Sequence, residues 1–344
     1  MKTSKLILGI ETSCDETGAS IIEAFSDSSK VKLLSNVIAS SLSMHSKTGG
    51  IIPENAAREQ VKFINPVIKE ALKEANKTPN EIDEIAVTYG PGLIGSLLIG
   101  VETAKTLSLT WNKPLIPTNH LLGHIYANFI DTNQGEIEFP AISLIVSGGH
   151  TDLLLIESHK KIKWLGGTKD DAAGEALDKI GRLLNLPYPG GPFIEKRAKE
   201  GNDSRFNFPH PLFDSSFDFS FSGLKSAVMR EVQNKNLSEQ DINDICANVQ
   251  KVVIDILLKK SFNAAAKYNA KSYLLGGGVA ANQKLRDSIQ NKIDSEKLNI
   301  KFFAPPKNLC TDNGAMIGAA AYFTGKEKKW HEIDADPNLY FDIT

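Results

Sequence analysis

Cysteine is scarce in this 344-residue chain. The three present, Cys14, Cys246 and Cys310, are widely spaced and form no C-x-x-C. That excludes a disulfide framework and suggests a reducing compartment. Excess charge is also missing: the net value is -2. Global electrostatics therefore gives no reason to expect a nucleic-acid or membrane-surface binder, although a local basic patch stays open. No apolar run is long enough to span a bilayer. The opening MKTSKLILGIETS has only a short apolar stretch before Glu11, too short for a signal-peptide core. A soluble cytoplasmic protein, without a membrane partner, is the expectation. Neither a Walker A nor a G-x-G-x-x-G in proper context occurs, and there is no long linker or low-complexity stretch.

What is present suits a two-domain α/β protein. The hydrophobic fraction, 41%, is enough for sizeable cores. LILGIE (6–11), GASIIEA (18–24) and KVKLLSNVIAS (30–40) read as three consecutive strands. A helix over 53–78 begins at Pro53. EIAVTYGPG (84–92) is a strand into a turn, followed by a helix over 94–110, the short strand KPLIPTN and a helix over 120–130. The pattern then restarts. PAISLIVSGGHTDLLLIES (140–158) is strand, glycine turn, strand, and 161–168 is a third strand. Helices follow near 174–186, 191–200, 222–233 and 238–268. A strand over 272–278 leads into a helix from about 280, then a strand over 301–306 and a helix over 311–323. The turn-rich stretch 201–220 reads as a mobile loop, and the polar tail after about 325 as a loose closing segment. IETSCDETGASIIE (10–23) and IVSGGHTDLLLIE (145–157) form a weak internal repeat. The expected halves are 1–139 and 140–344, the second with a helical insertion about 170–235, with a ligand in a cleft between their loops.

The most pointed motif is HLLGH (120–124). Histidines four apart on a helix are close enough to share one metal ion. The spacing is that of the zinc-protease signature H-E-x-x-H, but Leu121 stands where that signature needs glutamate. A metal held here would position or polarise a ligand rather than activate water for proteolysis. Asp312, in CTDNGA between a strand and a helix, is the candidate third ligand; the plainer reading is a helix N-cap. VSGGHT (146–151), YPGGP (188–192) and GGGVAAN (276–282) are glycine clusters at strand ends or helix starts. Each is suited to holding a phosphate by backbone N–H groups, and each is also explained by a tight turn. Asp170 and Asp171 begin a helix and read as its cap and dipole partners. Asp178, on the same helix, could reach a ribose hydroxyl. Asp15 and Glu16 sit in the first loop, where they could orient a nucleophile or form an acidic surface turn. Lys196, Arg197 and Lys199, with Lys225 and Arg230, are loose basic groups that could touch a nucleic-acid backbone or simply face solvent.

Taken in order, GIETSCDETG, NHLLGHIYA, VSGGHT, DDAAGEALDK, YPGGP, FSFSGLKSA, GGGVAAN and TDNGAMIG resemble the TsaD family, the tRNA N6-adenosine threonylcarbamoyltransferases, over roughly residues 6–325. The first and sixth motifs resemble its bacterial or mitochondrial branch. The resemblance implies an α/β, two-lobed actin/hexokinase/Hsp70-like (ASKHA) fold with a duplicated three-strand opening and a central cleft. It implies transfer of threonylcarbamoyl from threonylcarbamoyl-AMP to N6 of adenosine 37 in tRNAs reading ANN codons, with release of AMP. It assigns His120, His124 and Asp312 to one divalent metal, iron or zinc. It assigns Ile145, Val146, Ser147, Gly148 and Gly149 to a substrate loop, and Asp178, Gly191 and Asn282 to further substrate contacts. Asp15 and Glu16 are the candidates for orienting the incoming amine. Expected partners are the tRNA anticodon loop and the proteins TsaB and TsaE. A small-molecule kinase of the same fold is the alternative, and it has no need of a histidine pair with Asp312.

Overall fold

The computed structural model describes residues 4–41, 52–130, 135–233 and 235–341. The chain divides into two units, Met1–Glu136 with Pro305–Thr344, and Ile137–Ala304.

In the first unit β1 (Ser4–Glu11), β2 (Glu16–Phe25), β3 (Val31–Ser40), β4 (Glu84–Gly90) and β5 (Leu115–Asn119) form one sheet. Its order is β3-β2-β1-β4-β5, antiparallel from β3 to β1 and parallel from β1 to β5. The unbroken apolar run of β1 follows from its central place: it is covered on both faces. Leu8 and Ile10 pack with Ile64, Val67 and Val101 of α1 (Pro53–Glu74) and α2 (Ile94–Trp111). On the other face lies a late helix, GAMIGAAAYFT (Gly314–Thr324), most of which is buried. It approaches backbone to backbone, since a Cβ on Gly9 would fall 2.1 Å from the Gly314 carbonyl oxygen. Only glycine permits that contact.

This packing places the last part of the chain in the first unit, not in the second half as the sequence division has it. The tail is not loose either. Lys328 N donates to Leu115 O, Asp336 N to Tyr89 O and Asn119 Nδ2 to Tyr340 O, and Ile333 is buried. Polar composition concealed a segment whose backbone is tied to the ends of β4 and β5.

The second unit holds β6 (Ala141–Val146), β7 (Thr151–Ser158), β8 (Lys161–Gly167), β9 (Ser272–Gly276) and β10 (Lys301–Phe303). The order is β10-β9-β6-β7-β8, antiparallel from β6 to β8 and parallel from β6 to β10. The helix over 120–130 is shorter than expected; it is α3 (His120–Tyr126), ending in a 3-10 turn. Next come α4 (Ala173–Leu183), α5 (Gly190–Ala198), α6 (Ser222–Val232), α7 (Glu239–Lys267) and α8 (Gln283–Ser295); the late helix of the first unit is α9. The stretch 201–220 is strapped to α7 rather than free. Asn248 Nδ2 donates to Asp203 O and Phe206 O, Arg205 pairs with Asp244, and the fully buried Lys260 reaches Asp214 and Ser216. Among the described residues no helix is long and apolar enough to cross a membrane.

Candidate metal centre and glycine loops

α3 starts where it does because the Asn119 side chain caps it, accepting from Leu121 N at 2.8 Å and Leu122 N at 3.4 Å. The first helical residue is then His120, and His124 follows one turn later, with ring centroids 4.7 Å apart. The loop before α9 uses the same device. Asn313, not Asp312, is the cap, accepting from Met316 N at 3.0 Å. That leaves the Asp312 carboxylate to face the histidines. Its Oδ1 lies 3.6 Å from His120 Nε2 and 3.4 Å from His124 Nε2.

These separations fit a metal. Four-coordinate bonds of about 2.1 Å put neighbouring donors about 3.4 Å apart. Two imidazole nitrogens and a carboxylate are a donor set suited to zinc or iron. All three donor atoms lie within 4.8 Å of one another. The ring of His120 is also set for ligation. Its Nδ1 lies 3.1 Å from Glu11 Oε2 and 3.1 Å from Ser13 Oγ. A Nδ1–H donated to Glu11 leaves the Nε2 lone pair for the metal.

Glu11 is fully buried at the end of β1. It accepts from Ser13 N and Thr88 Oγ1, both at 2.5 Å. Burial opposes its charge, but His120 and these hydrogen bonds outweigh burial and hold the carboxyl below its usual range. His120 itself is lowered by burial and raised more strongly by Asp312 and Glu11, to about 9. Burial pushes Asp312 up; His120 opposes this, Glu11 and Asp15 add to it, and the result is about 6. Glu16 is raised well above the ordinary range by burial and by the charges of Asp312 and Asp15. Asp15, closing the short loop after β1, and Glu16, the first residue of β2, thus belong to the same electrostatic neighbourhood as Asp312. A divalent cation would relieve this concentration of carboxylates.

In the second unit, Ile145 and Val146 are the buried end of β6, and Ser147, Gly148 and Gly149 turn the chain into β7. Ser147 N donates to His150 O and Gly174 N to Ser147 O, which seats the loop on the start of α4. A Cβ on Gly148 or Gly149 would meet nothing within 4 Å. The described residues around them do not demand those glycines. Gly277 is different: its φ is +91°, and a Cβ there would lie 2.4 Å from Val146 O. It is structural.

Asp178, on α4, accepts from Gly190 N at 2.7 Å and Gly191 N at 3.4 Å, so it pins the YPGGP turn to α4. Burial raises its carboxyl, and those two N–H groups partly oppose the shift. Gly191 and Asn282 line one recess with Leu177, Gln250 and Val279. Asn282 also caps α8 through Leu285 N and donates to Gln250. Asp178, Gly191 and Asn282, expected as substrate contacts, therefore fall together around α4, α5 and the start of α8.

One expectation needs correction. Asp170 does not cap its own helix; it accepts from Phe221 N and Ser222 N and so caps α6. Asp171 pairs with Lys179 and Lys225, so Lys225 is engaged within the unit; Arg197 is likewise paired with Glu239. Glu11, Ser13 and Thr88 had no assigned role in the sequence. The one signal was a glutamate closing an otherwise apolar central strand.

Among solved structures, HypF of T. kodakarensis is similar over 93% of this chain with a TM-score of 0.59 and 14% identity. The chain spans about half of HypF, 47% of its length, and the likeness is one of fold. The two α/β units thus define a fold shared with part of HypF. The family model described as "TsaD: tRNA N6-adenosine threonylcarbamoyltransferase" matches residues 32–319, and the chain belongs to that family. The tRNA N6-adenosine threonylcarbamoyltransferase of Thermosipho africanus is 49% identical, covering 97% of this chain and 99% of its own. That of Listeria welshimeri is 47% identical, covering 99% and 98%.

Proposed function

We propose that this chain transfers the threonylcarbamoyl group from threonylcarbamoyl-AMP to N6 of adenosine 37 in tRNAs reading ANN codons, releasing AMP. The observation that carries the reading is the His120–His124–Asp312 group, intact in a chain matching the family over residues 32–319. A divalent ion there, iron or zinc, would supply Lewis acidity toward a carbonyl oxygen. The rest of the reaction falls to the chain's own groups. Glu11 keeps His120 in the ligating tautomer. Asp15 and Glu16 orient the adenine amine. One of these carboxylates accepts the proton as the N6–C bond forms and the C–O bond to AMP breaks. An exocyclic adenine amine is a poor nucleophile, so positioning supplies much of the rate.

In this reading the second unit takes the adenylate. The open loop Ile145–Gly149 offers backbone N–H groups without side-chain hindrance, and Asp178, Gly191 and Asn282 supply the further contacts. The acceptor adenosine comes from an unstacked anticodon loop. TsaB and TsaE act as protein partners, and the reaction is cytoplasmic. The sheet orders support reading the two units as one duplicated three-strand opening of the ASKHA type, with the helices about 170–235 inserted in the second. A kinase of that fold has no use for the histidine pair.

The test is reconstitution. The purified chain is given threonylcarbamoyl-AMP and an ANN-reading tRNA, with and without TsaB and TsaE, and digested tRNA is analysed by mass. Threonylcarbamoyladenosine at position 37, absent when that adenosine is guanosine, is the expected result. ATP-dependent phosphorylation of a small substrate, with no modified tRNA, would favour the kinase.

A further inference from the structure

Gln60 is 1% exposed and has no part in the reading above. It stands on the buried face of α1, in line with Ala56, Ile64 and Val67. An apolar side chain would serve that stripe, so its amide asks for a reason. The reason is on the β1–β2 loop. Gln60 Nε2 donates to Glu16 O at 2.9 Å, Cys14 O at 3.1 Å and Thr12 O at 3.4 Å. Three carbonyls of alternate residues converge on one nitrogen, which also fixes the amide's orientation: a flipped oxygen would face three oxygens. From α2 and its approach, Ser96 Oγ donates to Cys14 O at 3.0 Å and Leu93 N to Ser13 O at 2.8 Å. A Cβ on Gly100 would lie 2.3 Å from Thr12 Oγ1, so α2 sits directly against the loop. The loop is held from both helices and from Ser41, whose N and Oγ donate to Asp15 O, and Gln60 alone reaches three of its carbonyls.

We infer that Gln60 is a positioning residue for the transfer reaction. It sets the backbone of residues 12–16, and with it the direction of the Asp15 and Glu16 carboxylates. This rests on the proposed function and deepens it. Loss of the amide's two N–H donors loosens a loop that supplies none of the three ligand side chains His120, His124 and Asp312, its one bond to them being Ser13 Oγ to His120 Nδ1. Ångström-scale misplacement of reacting groups costs roughly 100-fold in rate.

The experiment compares wild type with Gln60→Met, which keeps length and volume but cannot donate, in the metal-loaded chain with TsaB and TsaE. The expected result is a fall in kcat of about 10- to 100-fold. KM for threonylcarbamoyl-AMP should stay within about twofold, and bound metal should stay at the wild-type level. Ser96→Ala is the second variant, removing one donor to Cys14 O; it should lower kcat several-fold, again with KM unchanged, and it decides the matter if Gln60→Met does not fold. A wild-type kcat in the folded variant overturns the inference. So does a loss of kcat matched by loss of metal or a rise in KM. A wild-type chain that makes no threonylcarbamoyladenosine contradicts the proposed function instead, so the two failures are distinct.

Discussion

At the scale of single residues, the candidate metal group is built by releasing side chains from other duties. Asn119 and Asn313 do the capping, and His120 and Asp312 are thereby left to face each other. The charges around them give a pH dependence with a definite sign. In the metal-free chain, His120 is lowered by burial but raised more by Asp312 and Glu11, to about 9. A histidine that holds its proton more tightly when folded favours the folded state below about pH 6.5, and that favour is lost as pH rises through about 9. Asp312, raised mainly by burial to about 6, also binds its proton more tightly when folded, so its contribution likewise falls as pH rises from about 4 to 6. Metal needs the deprotonated ligands and reverses the preference. Calorimetry with a chelator present should show Tm falling between pH 6 and 9, and zinc should restore more stability at pH 8 than at pH 6. A flat profile in chelator would contradict these assignments. Of this neighbourhood, the histidine spacing and Asp312 were legible in the sequence. Glu11 was not, because its role depends on His120, 109 residues away. Gln60 was not, because an amide on an apolar stripe looks like a lapse until the opposing carbonyls are seen.

At the scale of elements, the glycines sort into two kinds that sequence alone cannot separate. Gly9, Gly277 and Gly314 are demanded by backbone contacts inside a unit, whereas Gly148 and Gly149 face open space. Gly148→Ala and Gly149→Ala should therefore leave Tm within about 1–2 °C of wild type, within the usual range for neutral surface changes. They should raise KM for threonylcarbamoyl-AMP about tenfold or more, if a ligand's phosphate or base occupies that space. Gly277→Ala, at φ +91°, should cost about 1–3 kcal/mol of stability instead. Thermal melts beside steady-state kinetics distinguish the two, and an unchanged KM for both loop variants would remove this loop from the substrate site. Strand and helix types were readable along most of the chain because apolar periodicity is local. Cap partnerships were not: Asp170 lies beside α4 in sequence but serves the start of α6, 51 and 52 residues on.

At the scale of the whole molecule, the chain returns to the first unit after building the second. α9 supplies the face against which β1 and β2 close, and the segment beyond it ties down β4, β5 and the cap of α3. Ending the chain after Gly325 should therefore destabilise the first unit and loosen α3. The expected signs are a Tm several degrees lower and weaker zinc retention on dialysis, whereas a truncated chain with wild-type melting would show the tail to be dispensable. Its polar composition made this segment look loose, since backbone hydrogen bonds to distant strands leave no local pattern.

The most direct measurement of the central claim is made on His120→Ala/His124→Ala beside the wild-type chain. Both are assayed for bound metal and for threonylcarbamoyladenosine formed from threonylcarbamoyl-AMP and tRNA, with TsaB and TsaE supplied. The wild type should carry about one metal ion and yield modified tRNA. The folded double variant should do neither. A double variant that modifies tRNA at the wild-type rate would contradict it.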